Sequence, residues 1–151
     1  MATEPEIRRC GAEPKTILSV SPHEADHNSL ETIFEHSSWH VLRADNALDA
    51  LLLLDRHDIS VVLCERDLRQ GRWTDVLEYI QTLACPPSLI VTSRAADIQL
   101  WAEALNLGAQ DVLAKPYYAR EVVRSIKLAW AQWYSQKERI MRSRRLAKAA
   151  S

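Results

Sequence analysis

Ile59-Ser60-Val61-Val62-Leu63-Cys64 is a nearly continuous apolar, β-branched run, the pattern of a parallel strand covered on both faces. Such a strand belongs at the centre of a sheet, and the segments around it are consistent with that place. Thr16-Ile17-Leu18-Ser19-Val20 is short, β-rich and stopped by Ser21-Pro22, and Glu24 to Ser37 follows with Leu30, Ile33 and Phe34 at helical spacing. His40 to Ala44 alternates like a strand, and Asp45 is placed to cap a helix carrying Ala47, Leu48, Leu51, Leu52 and Leu54. A polar loop, Glu65 to Arg72, then leads to a helix near Trp73 to Leu83, which Cys85-Pro86-Pro87 stops. Ser88 to Thr92 reads as a fourth strand, Asp97 to Leu107 as a helix closed by a left-handed Gly108, and Asp111 to Ala114 as a fifth strand. A last helix begins at Ala119 and runs to about Ala149.

Five strand-helix units in strict alternation predict an α/β fold, a doubly wound five-stranded parallel sheet with an extended C-terminal helix, because parallel strands need right-handed crossovers. The 151 residues, 47% of them hydrophobic, suit one core. The chain divides into a leader over residues 1–15, a domain over 16–134 and a basic helical tail over 135–151. A formal net charge of -1 gives no global attraction to nucleic acid or an acidic membrane. The apolar runs are far shorter than the roughly 20 residues of a membrane span, and the polar N-terminus has no signal segment, so a soluble, cytoplasmic protein is expected. Cys10, Cys64 and Cys85 lack C-x-x-C spacing, which indicates neither a disulfide framework nor a thiolate zinc site. Three glycines, at 11, 71 and 108, exclude a Gly-rich phosphate loop.

In open parallel sheets, function collects at the carboxyl ends of the strands. Those ends carry Ser21-Pro22-His23-Glu24, Glu65-Arg66-Asp67, Thr92-Ser93 and Lys115-Pro116. With Glu65 ending the third strand, Ser93 in V-T-S-R-A-A-D and Lys115 in G-A-Q-D-V-L-A-K-P-Y, residues 16 to about 134 resemble the receiver domain of two-component response regulators, which has the flavodoxin-like fold. The last of these segments is the most specific. The resemblance implies phosphorelay signalling, in which an Asp ending the third strand takes a phosphoryl group from a histidine kinase.

The residues depart from that pattern where the chemistry lies. Phosphate-accepting members carry an acidic pair after the first strand to hold Mg²⁺, and here the pair falls on Ser21 and Pro22. The acceptor position holds Glu65, one methylene longer than Asp and suited to imitate a charged, phosphorylated state. Glu65 is expected to pair with Lys115, with Ser93 assisting. Asp67 is a surrogate acceptor to be weighed. Val112 stands at the switch position where many receivers carry Tyr or Phe. The expectation is a stand-alone pseudo-receiver without turnover, cofactor or metal, and with no catalytic residue, acting by contact with a protein partner: a histidine kinase, a downstream signalling protein or a second copy of the chain. The alternative is an active phosphoacceptor with atypical ligands, for which His23 or Glu24 would have to compensate.

His23-Glu24-Ala25-Asp26-His27 also matches H-E-x-x-H, the zinc-protease pattern. Zinc proteases carry it within a helix and add a third ligand, whereas this copy opens a helix and no third ligand is evident, so a zinc hydrolase ranks last. Cys64 reads as a buried small hydrophobe rather than a nucleophile. In the C-terminal helix, Val122, Val123, Ile126, Ala129, Trp130, Trp133 and Tyr134 form the stripe that faces the domain. Lys137, Arg139, Arg142, Arg144, Arg145 and Lys148 then stand against Glu138 alone. That segment suits a docking helix or a weak phosphate contact, and without a compact base-reading motif specific DNA binding is not expected.

Overall fold

A computed structural model describes residues 15–150. Residues 1–14 of the expected leader, Cys10 among them, lie outside the described residues. Five strands, β1 (Thr16–Val20), β2 (His40–Ala44), β3 (Val61–Glu65), β4 (Ser88–Ser93) and β5 (Asp111–Ala114), alternate with five helices. The helices are α1 (Glu24–Phe34), α2 (Ala47–Arg56), α3 (Trp73–Ile80), α4 (Ile98–Leu107) and α5 (Ala119–Ala150). All pairings are parallel, in the order β2-β1-β3-β4-β5. The expected fold is the observed one, and every residue of β3 is buried.

Alternation along the strands separates two cores. Leu18, Val20, Val62, Cys64, Leu89, Val91 and Val112 face Ala50 and Leu54 of α2, Val76, Leu77 and Ile80 of α3, and Leu100 and Ala104 of α4. Ile17, Val61, Leu63, Ile90 and Leu113 face Leu30 and Phe34 of α1 and Val122, Ile126 and Ala129 of α5. Each fully buried Val, Leu or Ile contributes about 1.5–3 kcal/mol. The period of two in the strands thus assigns α2, α3 and α4 to one side of the sheet and α1 and α5 to the other.

Local chemistry sets the element ends. Asn46, not Asp45, caps α2, because the Asn46 side chain accepts from the Asp49 amide at 2.9 Å. The Asp45 carboxylate lies 3.5 Å from His27 Nε2 instead. β3 starts two residues later than the apolar run and includes Glu65, whose partner in the ladder is Thr92. Gly108 ends α4 with φ 113°, and the Ala109 amide returns to the Ala104 carbonyl. Gly71, with φ 81°, lies in the β3–α3 loop against Ala47, where an added Cβ would be 2.6 Å from the Ala47 Cβ.

α5 is unbroken over 32 residues, about 48 Å at 1.5 Å per residue. Ser88 Oγ ties it to the sheet by donating to the Ala129 carbonyl at 2.8 Å. Its buried face, Val122, Ser125, Ile126, Ala129 and Trp133, continues one turn past Tyr134 to Lys137. Cys85 is disulfide-bonded, which the reading of cysteine spacing did not anticipate, since pairing follows proximity rather than interval. Among the described residues Cys64 is the free cysteine, and no helix is long and apolar enough to cross a membrane.

Candidate functional site at the carboxyl ends of the strands

Parallel register brings the third and fifth strand ends to one edge: Glu65 aligns with Thr92, and Ser93 aligns with Ala114, one residue before Lys115. The Lys115 ammonium donates to Glu65 Oε1, as the sequence predicts, and also to Asp26 Oδ2 in the first turn of α1. The three side chains are 4%, 5% and 13% exposed for Lys115, Glu65 and Asp26. Charge-assisted bonds of this kind are about twice as strong as neutral ones, and burial protects them from screening.

The remaining oxygens are also engaged. Glu65 Oε2 accepts from the Asp67 amide at 2.8 Å, so the loop after β3 folds back onto the carboxylate. Ser21 Oγ donates to Asp26 Oδ2 at 2.6 Å and accepts from the His23 amide at 3.1 Å. Ser21 therefore orients Asp26 rather than standing open at the strand end. Beneath it, His27 is fully buried, with Nδ1 2.8 Å from Ser19 Oγ and Nε2 donating to the Ser21 carbonyl at 3.0 Å.

Ser93 departs from its expected part. Its Oγ accepts from the Ala95 amide at 3.0 Å and shapes the turn after β4, while only its carbonyl is tied to Lys115, through the Lys115 amide at 3.0 Å. The Asp67 carboxylate is exposed and paired with Arg66. Pro22 is half-buried beside the site. Val112 is buried among Leu100, Ala104 and Ala109 on the α4 side of the sheet. Tyr117, two residues past Lys115, hydrogen-bonds Thr92, and burial pushes its phenol well above the usual range. Burial, followed by the Glu65 carboxylate, pushes the Cys64 thiol up as well, which fits a packed side chain rather than a nucleophile.

The two imidazoles of H-E-A-D-H do not share a face. His23 is the extended cap residue of α1, with φ -105° and ψ 117°, and is exposed, whereas His27 points inward. Mg²⁺ fits the edge no better. Positions 21 and 22 offer a hydroxyl and a proline, and the two buried carboxylates converge on an ammonium. Among the described residues no three His, Cys, Asp or Glu side chains form a cluster able to hold a metal.

Asp26 is the member of the site that sequence reasoning missed. A signal existed: the first turn of a helix that follows a strand end directs its side chains back toward that end.

The chain matches the response regulator receiver domain family over residues 17–127. Among curated proteins it is similar to the sensory transduction protein RegX3 of Mycobacterium tuberculosis, 28% identical over 112 residues, which is 74% of this chain and 49% of that protein. It is also similar to a CpxR homolog, a transcriptional regulatory protein of Haemophilus influenzae, 32% identical over 98 residues, 65% of this chain and 42% of that protein. The chain therefore spans about half the length of the curated relatives it matches. In fold it is similar to the signal receiver domain of an HD domain-containing protein from Pseudomonas fluorescens, with TM-score 0.76, 24% identity and coverage of 85% and 95% of the two chains. A CheY-like receiver domain protein from Methanospirillum hungatei gives TM-score 0.72, 22% identity and coverage of 82% and 98%. With its parallel sheet, its Glu65 and Lys115 at adjoining strand ends and the family match over residues 17–127, this chain belongs to the response regulator receiver domains of two-component signalling.

Proposed function

We propose that the chain is a pseudo-receiver that signals by protein contact in a fixed state, with no phosphoryl turnover and no catalytic residue. The observation that carries this reading is the placement of the Lys115 ammonium between Glu65 and Asp26. One ammonium built into the chain takes the place between the two carboxylates that a divalent ion would need and offsets only one of them, while the Glu65 carboxylate stands at the acceptor position. The contact is constitutive rather than switched, and the aliphatic Val112 supports the same reading because it has no ring to reorient. Output then rests on the surface. Ile98, Trp101 and Leu107 of α4 and Tyr118 in the loop after Lys115 are large, apolar and exposed, the kind of side chains that mark a protein-docking face. The partner is a kinase or a downstream signalling protein, bound without specific DNA contact.

Asp26 favours a second reading. It places a carboxylate beside Glu65 from α1, where positions 21 and 22 provide none, and so offers an atypical ligand to a receiver that accepts a phosphoryl group at Glu65 or Asp67.

Intact mass after incubation with acetyl phosphate and Mg²⁺ separates the two. The pseudo-receiver gives no adduct, and an acid-labile, Mg²⁺-dependent phosphoryl group on Glu65 or Asp67 would overturn it. Partner capture by the wild-type chain and by Glu65→Gln then measures whether the fixed charge matters. Equal capture at low salt removes the phosphomimic role of Glu65.

A further inference from the structure

α2 buries Ala47, Ala50 and Leu54, yet its opposite side is also apolar. Leu48 and Leu52, one turn apart, are 66% and 49% exposed. Asp49 in the helix and Asp45 just before it are exposed beside them, and Arg56 stands at the far end. Exposed leucines at i and i+4 form the apolar seam that a second helix covers, and the acidic residues at its start call for a basic partner.

The distal end of α5 has the complementary composition. From Arg142 to Ala150 every residue is exposed. Arg139, Arg142, Leu146 and Ala149 fall on one face at helical spacing, with Arg145 at its margin, and Leu146 is 66% exposed. One structure thus carries an acidic apolar helix face and a basic apolar helix face, each unoccupied by the core.

The two faces do not meet within one chain. α2 packs on the side of the sheet occupied by α3 and α4, whereas α5 packs on the other side with α1. α5 is a single helix to Ala150, so its end continues along its own side of the sheet.

We propose that two copies of the chain associate reciprocally, the distal α5 of each lying on the Leu48–Leu52 face of α2 in the other. The contact is isologous and closes as a pair. Arg142 and Arg145 meet Asp45 and Asp49, and Leu146 covers the leucine seam. Two small helix-on-helix contacts give a salt-sensitive, exchanging dimer rather than an obligate one. The contact uses neither Glu65 nor Lys115, and so holds or fails independently of the pseudo-receiver reading.

The test is a charge exchange in trans, read as molar mass by sedimentation equilibrium at low salt. Asp49→Arg places like charge against the incoming tail, and Arg142→Asp does the same from the tail. Each variant alone is expected to associate at least about tenfold more weakly than the wild type. An equimolar mixture should recover the dimer, because the Asp49→Arg chain offers a native tail to a native α2, and the exchanged charges are complementary at the second contact. Both positions are exposed, and circular dichroism of each variant checks that the fold is retained. A wild-type chain that remains monomeric at high concentration, variants that dimerise like the wild type, or a mixture that fails to recover would each overturn the proposal. A mass that grows beyond two chains overturns the closed reciprocal arrangement.

Discussion

The ammonium of Lys115 contacts Asp26 across 89 positions of sequence and Glu65 across 50, joining the first helix, the third strand and the loop after the fifth strand at one buried point. Removing the ammonium leaves two carboxylates facing each other out of water. Lys115→Met should therefore destabilise the domain by about 3–5 kcal/mol, the usual cost of breaking a buried ion pair from one side. Urea denaturation at neutral pH measures it, and a loss below 1 kcal/mol, the range of surface pairs, would show that the site is effectively solvated.

Restoring the family's acceptor type should not restore its chemistry. In Glu65→Asp the carboxylate is shortened, but Ser21 and Pro22 remain in place of the acidic pair and Lys115 remains bound to Asp26. Intact mass after acetyl phosphate and Mg²⁺ should equal that of the untreated variant. A phosphoryl adduct would instead show that the length of Glu65 is what silences the site.

Arg43 on β2 is paired with Glu24 and Glu31 of α1, reaching Glu31 by two hydrogen bonds of 2.6 Å. Hydrogen bonding by the guanidinium holds the Glu31 carboxyl below its ordinary value, although partial burial acts the other way. A carboxyl depressed in the folded state adds stability that is fully present above its unfolded pKa and lost as pH falls through the folded one. The stability difference between wild type and Glu31→Gln should thus be largest near neutral pH, shrink on acidification below the normal carboxylate range, and diminish in salt. A difference that does not change with pH would mean that the pair contributes shape only.

The distal helix can be divided by truncation. Lys137 is buried, its ammonium 4.6 Å from the centre of the Tyr134 ring and 5.4 Å from that of Trp133, and Ile140 and Met141 are half-buried. Ending the chain after Met141 should leave the melting temperature of the dilute protein unchanged. Ending it after Tyr134 should cost on the order of 1 kcal/mol, since a desolvated cation–π contact is lost with the apolar cover. Equal melting temperatures for the two truncations would place the boundary of the folded unit at Tyr134.

Cys64 is fully buried and its thiol is pushed up. It should resist alkylation by iodoacetamide in the native protein and react once the protein is unfolded in urea. Labelling of Cys64 under native conditions at the rate of a free thiol would require opening of the sheet centre.

Hydrophobic period, with the Pro and Gly stops, placed the five strands and the five helices, most plainly at β3, whose apolar run is buried at every residue. Element ends were harder, as the exchange of Asp45 for Asn46 at the start of α2 illustrates: both are good caps, and only the direction in which each side chain leaves the backbone decides between them. Glu65 and Lys115 were legible because strand ends in a parallel sheet share an edge. Asp26 and the true part of Ser93 were not, since each depends on where a side chain turns after the chain leaves a strand. The Ser93 hydroxyl is taken by the local Ala95 amide, and the Lys115 ammonium is taken by Glu65 and Asp26.

Gly71 gives the loop after Glu65 a mechanical character. Its left-handed backbone and its contact with Ala47 leave no room for even a methyl group, and the Ala47 amide is bound to the neighbouring Gln70 carbonyl at 3.2 Å. The loop is thus riveted to the start of α2 at one end and to the Glu65 carboxylate, through the Asp67 amide, at the other. A span fixed at both ends has no slack. The same few residues therefore serve two anchors, the carboxylate at the strand edge and the first turn of a helix on the α3 and α4 side of the sheet, so the length of this loop is set by the distance between them.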